Sequence, residues 1–285
     1  MILVTGATGT VGGILLRHLI SHGEAVRAMT RTPSVLAAHS GLDVVGADFD
    51  DPESLAAAVA GVRAVFLLTA PASATPKHDL NLLDAACSAG VTTIVKLSAI
   101  GSGERIGGKI VGAWHLEAEA AVRESGMAWT VLRPSSFASN TLAFAEAIKA
   151  GDPIPNTTAT ARQGVIDPRD IAAVAAAALT GPGHGGRVHT LTGPELLSVP
   201  DQAAILGSVL GRPVSTVDVS LDSVGQRMSS QGISPAAVET AVTGMTWARA
   251  GHNAILTDDV ARILGRPATT FRTWVEDHRE AFGTE

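Results

Sequence analysis

The chain has 285 residues, a formal net charge of −6, one cysteine and no tyrosine, so any mechanism that uses a phenol is excluded. The length predicts one large domain or two small ones, and the lone Cys87 excludes an intramolecular disulfide and a cysteine-based metal cluster. The acidic charge balance argues against nucleic-acid binding, and the apolar runs are too short for a membrane span.

Strands and helices alternate from the start of the chain. A buried strand is predicted at Ile2–Val4, followed by a glycine turn and an amphipathic helix over Thr10–Ser21. No basic region precedes that strand, so we predict no secretory signal and expect a cytoplasmic protein. Further strands are predicted at 25–29, 43–45, 64–68, 93–97 and 129–132, and helices at 52–60, 76–89 and 109–125. Continuous apolar strands joined by helices predict an α/β fold with a doubly wound parallel sheet of the Rossmann type.

Shorter elements follow residue 133. A helix over 168–179 is expected to return to the sheet together with its flanking residues, about 160–192. The helices predicted beyond it lie at 199–210, 235–245, 257–264 and 269–282, with Ser198 and Thr257 as N-caps. We therefore predict a nucleotide-binding domain over residues 1–150 and a small, mainly helical lobe over residues 193–285.

The strongest motif lies between the first strand and the first helix, where residues 5–12 read TGATGTVG. Gly6 permits a tight turn, Gly9 lets a pyrophosphate approach the backbone, and Gly12 lets the helix pack closely on the strand. The helix N-terminus adds amide donors for phosphates. An ordinary glycine-rich turn is the alternative, and three glycines in register at a strand–helix junction disfavour it. The predicted phosphate-binding residues are Gly6, Thr8, Gly9, Thr10, Val11 and Gly12.

The end of the second strand predicts which dinucleotide is bound. NAD-binding folds place an acidic residue there for the ribose 2′-hydroxyl, but no acidic residue occurs between Glu24 and Asp43. Arg31 follows the strand instead, and its guanidinium can pair with a 2′-phosphate. The sequence therefore predicts NADP rather than NAD. The alternative is that Arg31 is only a solvated strand end, and Arg27 is expected to be structural.

Several short motifs are spread over nearly the whole chain. Besides the glycine motif they are GADFD at 46–50, LTAP at 68–71, KLS at 96–98, LRP at 132–134, DPRD at 167–170 and TFRTW at 270–274. Together they resemble the NmrA-like atypical short-chain dehydrogenases/reductases. The resemblance implies an NADP-binding Rossmann domain and a small C-terminal lobe that binds the substrate. Members of that family include quinone, azo-compound and carbonyl reductases, and redox-sensing regulators that bind the cofactor without turnover.

The same resemblance implies where the rest of the cofactor binds. It places Asp48 and Phe49 near the adenine, Thr69, Ala70 and Pro71 along the pyrophosphate and ribose, Ser98 near the nicotinamide, and Pro134 to Phe137 over its carboxamide. These residues follow predicted strands, where an open α/β sheet binds its ligands. Asp48 is equally typical of a cap or turn residue.

The catalytic residues of the wider superfamily, a serine and a Tyr-x-x-x-Lys motif, are only partly retained. Ser98 matches the serine, whereas His115 stands at the lysine position and Val111 at the tyrosine position. Ser98 can donate a hydrogen bond to a carbonyl under reduction, and His115 is a candidate general acid because imidazole has a pKa of about 6.5. Alternatively, His115 positions the nicotinamide ribose or only packs against Trp114.

Such weak acid groups predict an acceptor whose reduced form tolerates negative charge. We expect NADPH-dependent reduction of a quinone or of an activated aryl or polyketide-type ketone. Candidates for an apolar substrate pocket are Phe137, Asn140, Phe144, Met228 and Trp247, although each of these side chains is also typical of a core. A non-catalytic NADP-sensing protein that acts through a protein partner is the alternative. No histidine spacing indicates a metal site.

Overall fold

The computed structural model describes residues 1–36, 40–70 and 74–283, and the chain divides into two compact units. The first unit comprises Met1–Ala99, Ala113–Arg133 and Ile171–His189, and the second comprises Ile100–Gly112, Pro134–Asp170 and Thr190–Glu285. The units are therefore interleaved along the chain, unlike the contiguous division into 1–150 and 193–285 that the sequence predicts. Of the residues predicted to return to the sheet, about 160–192, the first unit includes 171–189, whereas residues 134–150, 160–170 and 190–192 belong to the second.

Strands and helices alternate through the first half of the chain, and helices predominate later. The strands are β1 (Ile2–Val4), β2 (Val26–Thr30), β3 (Leu42–Gly46), β4 (Ala64–Leu67), β5 (Thr93–Leu97), β6 (Arg105–Ile106), β7 (Lys109–Ile110), β8 (Ala128–Pro134), β9 (Ile154–Asn156), β10 (Gln163–Gly164), β11 (Arg187–Leu191), β12 (Leu196–Leu197) and β13 (Thr216–Asp218). The α-helices are α1 (Thr10–Ser21), α2 (Pro52–Val59), α3 (Lys77–Ser88), α4 (Ala113–Glu124), α5 (Ala145–Ala150), α6 (Pro168–Thr180), α7 (Val199–Leu210), α8 (Leu221–Ser230), α9 (Pro235–Arg249), α10 (Asp259–Leu264) and α11 (Phe271–Asp277). Short 3₁₀ segments occur at Pro33–Val35, Ala138–Phe144 and Arg279–Phe282.

Seven strands form one sheet in the order β11-β8-β5-β4-β1-β2-β3. Strand β1 pairs in parallel with both β2 and β4, and β5 pairs in parallel with β4 and β8. The strand order therefore reverses beside β1, and the carboxyl ends of these parallel strands lie at one edge of the sheet, hereafter the carboxyl edge. This topology confirms the predicted doubly wound sheet. Within the described residues, no helix is both long and apolar enough to cross a bilayer.

The apolar pattern explains the sheet. Strands β1 and β4 are buried at every position, as expected of strands covered by helices on both faces. Helix α1 buries one stripe, formed by Val11, Leu15, Leu16 and Leu19. Elements β1, α1, β5 and α7 begin and end at the residues predicted from the sequence.

The helix predicted over 109–125 is shorter than expected. Helix α4 begins at Ala113, and residues 105–110 form the small antiparallel hairpin β6–β7. Three glycines before α4 adopt positive φ angles: Gly107 (55°), Gly108 (79°) and Gly112 (56°). This conformation is incompatible with a regular helix, so α4 cannot extend toward its N-terminus through these residues. Val111 consequently precedes the helix rather than lying within it.

The second unit has its own core around Trp274, which packs with Phe271, Phe282 and Leu206. Ser198 caps α7 as predicted, and forms a capping box with Asp201.

The prediction that Thr257 is an N-cap is wrong. Helix α10 begins at Asp259, one residue after its N-cap position at Asp258, and the hydroxyl of Thr257 instead donates to the carbonyl of Thr190.

Candidate active site

The glycine loop, Gly6–Gly9, and the start of α1 are in very close contact. Gly6 has a φ of +60°, and a Cβ atom placed on Gly12 would lie only 2.1 Å from the carbonyl oxygen of Gly6. A Cβ on Gly9 would lie 3.3 Å from the same oxygen. Only glycine at position 12 allows the helix to begin this close to the loop.

The N-terminus of α1 has no side-chain cap. Its N-cap position is Gly9, which has no side chain, so the first amide groups of the helix are not satisfied within the protein by a capping residue. Thr8 and Thr10 are exposed, whereas the side chain of Val11 is buried and leaves only its backbone for a ligand. This combination of a close loop and an uncapped helix start fits a dinucleotide pyrophosphate.

Thr5 fixes the loop to the end of β4. Its Oγ1 donates to the carbonyl of Leu68 at 2.8 Å and accepts from the amide of Leu68 at 2.8 Å. A Cβ atom on Gly6 would collide with the Leu68 side chain at 2.8 Å. The loops after β1 and β4 therefore lie side by side where the strand order reverses, which is where open α/β sheets bind ligands.

The two arginines on or just after β2 have different surroundings. Arg27 is half-buried, pairs with Asp43 at 2.6 Å and donates to the carbonyls of Ala58 and Ala60, so it is structural as expected. Arg31 is exposed directly after the strand, at the carboxyl edge. Its position allows it to reach a 2′-phosphate, and that role stays a prediction.

The residues predicted around the adenine lie in the loop after β3. The carboxylate of Asp48 accepts a hydrogen bond from the amide of Asp50 at 2.9 Å. Asp48 is therefore a turn residue, which is one of its two expected roles; the other is a position near the adenine. Phe49 is half-buried and stacks on His78 with ring centroids 5.2 Å apart. After β4, Thr69 is buried and Ala70 exposed, while Pro71 lies outside the described residues.

Ser98 directly follows β5 and is part of a buried charge network with Glu119. The hydroxyl of Ser98 donates to Glu119 Oε1 at 2.6 Å. Arg133 binds both oxygens of that carboxylate at 2.9 and 2.7 Å, and Arg123 reaches Oε2 at 2.8 Å. Glu119 is fully buried and so needs these donors. Because the proton of Ser98 is directed at Glu119, this geometry weighs against Ser98 as the donor to a substrate.

His115 lies in the first turn of α4 and stacks on Trp114 with ring centroids 3.6 Å apart. Burial lowers the pKa of His115 to about 3, with further contributions from the charges of Lys96 and Arg133. Its Nδ1 atom is buried without a hydrogen-bond partner in the described part of the chain. A neutral imidazole holds no imidazolium proton to give at pH 7, so this site disfavours a general acid and favours a hydrogen-bonding or packing role.

The low pKa of His115 makes a prediction about stability. The unfolded pKa is about 6.5 and the folded pKa about 3, so the unfolded chain binds the extra proton first as the pH falls. We expect His115 to lower the free energy of unfolding by about 2 kcal/mol between pH 7 and pH 5. Urea unfolding at both pH values should show this loss in the wild type and not in His115→Gln. The exposed His22→Gln is the control and should keep it; equal losses in all three proteins would contradict the assignment.

The predicted pocket residues belong to the second unit, where several are core residues. Trp247 is 3% exposed, packs with Val111 and donates its indole N–H to Glu104 at 2.7 Å, which favours the core alternative over a pocket wall. Phe144 packs against the core around Trp274. Asn140 is exposed, while Phe137 and Met228 are half-buried, and Pro134 is buried at the end of β8.

Three buried charged residues near the carboxyl edge were missed from the sequence: Asp79, Lys96 and Glu119. Lys96 Nζ lies 2.7 Å from Asp79 Oδ1, and both side chains are almost completely buried. The signal was a lysine inside the apolar strand TIVKL, where a charge must find a partner. Among the described residues, no cluster of His, Cys, Asp and Glu has the geometry of a metal site.

Comparisons with known proteins point to one family. A family model described as NAD(P)H-binding matches residues 6–182. The chain is similar to (4-alkanoyl-5-oxo-2,5-dihydrofuran-3-yl)methyl phosphate reductase of Streptomyces griseus, with 38% identity over 286 residues, covering 100% of both chains. It is also similar to NAD(P)H azoreductase of Xenophilus azovorans, with 34% identity over 285 residues and 99% of both chains.

A solved structure supports the same assignment. The NADPH-dependent quinone oxidoreductase QOR2 of Escherichia coli, crystallised with NADPH, superposes with a TM-score of 0.85 and 26% identity. The match covers 98% of this chain and 100% of that one. The residues matched by the family model include the glycine loop, Arg31, Ser98 and His115.

Proposed function

Because this chain belongs to the NAD(P)H-binding family, we propose that it is an NADPH-dependent reductase of quinones or of activated aryl or polyketide-type ketones. Relatives that match the chain over its whole length are named reductases, which disfavours the alternative of a non-catalytic NADP-sensing regulator. NADPH, when bound, supplies a hydride. The substrate class is inferred from the shortage of proton donors in this chain.

The cofactor site proposed here lies at the carboxyl edge. The glycine loop and the uncapped start of α1 hold the pyrophosphate, and Arg31 holds the 2′-phosphate. The loops after β3 and β4 line the adenine and ribose. The residues proposed to contact the cofactor are Gly6, Thr8, Gly9, Thr10, Val11, Gly12, Arg31, Asp48, Phe49, Thr69, Ala70, Pro71, Ser98, Pro134 and Phe137.

The shortage of proton donors supports the proposed substrate class most strongly. The chain has no tyrosine, the hydroxyl of Ser98 donates to Glu119, and burial keeps His115 neutral. A simple ketone needs a proton or a strong donor as its oxygen becomes an alkoxide. A quinone becomes a phenolate, which is a stable anion in water and can take its proton from solvent. An acceptor of that kind is therefore suited to this site.

A second acceptor class is favoured by the 38% identical relative. The compound in that relative's name has a ring double bond conjugated with two carbonyl groups. Hydride addition to the carbon β to both carbonyls gives the enolate of a 1,3-dicarbonyl, again a stabilised anion. We therefore include acylated unsaturated lactones among the candidate substrates.

Acceptor-dependent oxidation of NADPH tests the proposal. The panel holds 1,4-naphthoquinone, 2′-hydroxyacetophenone, a 3-acyl-2(5H)-furanone and 2-octanone, and each rate is corrected for the reaction without protein. We expect turnover with at least one of the first three and none with 2-octanone. Turnover with 2-octanone alone would exclude the proposed substrate class, and absence of NADPH binding would exclude the reductase itself.

Arg31 is predicted to set the preference for NADPH. A charge-assisted hydrogen bond contributes about 1.5–3 kcal/mol, so Arg31→Ala should lower the NADPH-to-NADH ratio of kcat/KM by roughly 10- to 100-fold. The exposed Arg17→Ala, on the same unit, is the control and should leave the ratio unchanged. An unaltered ratio in Arg31→Ala would mean that another group recognises the 2′-phosphate.

A further inference from the structure

A second buried charge pair lies beneath the carboxyl edge, beside the network of Glu119. Lys96 is 0% exposed and Asp79 1% exposed, and their charged atoms are 2.7 Å apart. Lys96 also donates to the carbonyl of Leu97 at 2.9 Å, and its ammonium lies 5.4 Å from the centre of the Trp114 ring. Three elements therefore meet at one cation: α3 through Asp79, β5 through Lys96 and α4 through Trp114.

Asp79 connects this cation to the loop after β4. Its second oxygen, Oδ2, accepts a hydrogen bond from the hydroxyl of Thr69 at 2.7 Å. Thr69 is 5% exposed, so its side chain is turned away from solvent, whereas the following Ala70 is exposed. At Thr69 and Ala70 the loop can therefore present little more than backbone and one methyl group at the carboxyl edge, in the orientation that Asp79 sets.

Stability alone does not account for the pair. Burying a lysine and an aspartate removes both from water, and apolar side chains of similar volume are often equally stable or more so. What the pair adds is position, because the ion pair with Lys96 holds the Asp79 carboxylate in place and the hydrogen bond from Thr69 to Asp79 Oδ2 fixes how Thr69 meets that carboxylate. The atom that this chain of contacts finally fixes is the hydroxyl of Thr69.

We propose that Lys96 is a positioning residue for cofactor binding, which holds Asp79 so that Asp79 can orient the loop at Thr69. This inference rests on the proposed function, because it takes that loop to line the cofactor. Lys96 is too deeply buried to touch a ligand itself. Its removal should therefore weaken NADPH binding and leave the rate at saturating NADPH unchanged.

Three variants of the full chain test this role. Lys96→Met removes the charge with little change in volume. Lys96→Met/Asp79→Leu removes both charges, and it is included because a lone buried aspartate is strongly destabilising. Val95→Ala is the matched control, since Val95 is the preceding residue of β5, fully buried and outside the charge pair. Tryptophan fluorescence gives the Kd for NADPH, steady-state kinetics give kcat and KM, and thermal unfolding gives Tm.

We expect both Lys96 variants to raise the Kd for NADPH about tenfold, with kcat and the KM of the acceptor unchanged, and Val95→Ala to lower Tm without changing the Kd. If Lys96→Met does not fold, the double variant decides. A Kd within twofold of wild type in the folded Lys96 variants, or an equal rise in Val95→Ala, would overturn the proposal. Absence of NADPH binding by the wild type would instead overturn the proposed function on which it rests.

Discussion

Replacing Gly12 by alanine is expected to abolish NADPH binding. The new Cβ atom would lie 2.1 Å from the carbonyl oxygen and 2.6 Å from the carbonyl carbon of Gly6, and both are backbone atoms that cannot rotate away. Helix α1 must then move from the loop, and its amides leave the place where the pyrophosphate is proposed to bind. We expect the Kd for NADPH to rise more than 100-fold and the free energy of unfolding to fall by about 1–3 kcal/mol.

The neighbouring glycine provides the control for this experiment. A Cβ atom on Gly13 would lie 3.4 Å from the carbonyl of Ala7 and 3.8 Å from the Arg17 guanidinium, which are ordinary contacts. Gly13→Ala should raise stability by up to about 1 kcal/mol, because alanine is the better helix former, and keep the Kd within twofold. Calorimetric titration with NADPH compares the two variants. Equal affinities would show that the glycine loop is not the pyrophosphate site.

Glu119→Ala is expected to destabilise the fold strongly. The carboxylate is fully buried and accepts from Ser98, Arg123 and Arg133, so its loss leaves Arg133 without its partner. Breaking a buried pair costs about 3–5 kcal/mol, and the lower part of this range applies because the side chain of Arg133 is 23% exposed and keeps some hydration. Urea unfolding at pH 7 measures the difference from wild type.

Glu117→Ala is the control for Glu119 on the same helix. Glu117 is exposed, and substitutions at such positions usually change stability by less than about 0.5 kcal/mol. Glu119→Gln keeps the shape and loses the charge, so we expect an intermediate loss. If the alanine variants at 117 and 119 unfolded alike, the buried network would have no role in stability.

Local patterns were sufficient to predict the sheet and its neighbouring helices. An apolar run such as TIVKL at 93–97 predicts a strand whatever lies beside it, and β5 has those bounds. The glycine motif likewise predicts a close approach of helix and loop, because a missing side chain restricts what can lie there. Such features depend on residues within about one turn or one strand of each other.

Features that depend on distant pairing were not predictable in this way. Ser98 and Glu119 are 21 residues apart, and the sequence does not state which carboxylate a hydroxyl will face. The pKa of His115 likewise depends on burial and on charges brought near by other strands. Trp247 suggests a pocket by its residue type, yet its partner Glu104 is 143 residues away and makes it a core residue.

Replacing the second unit by that of another family member is an engineering problem set by the path of the chain. The chain passes from one unit to the other after Ala99, Gly112, Arg133, Asp170 and His189. A chimera that takes its second unit from another relative must therefore replace three separate segments and match five junctions. The first of those segments, Ile100–Gly112, is only 13 residues long and would be left behind by a C-terminal fusion at any of the later junctions.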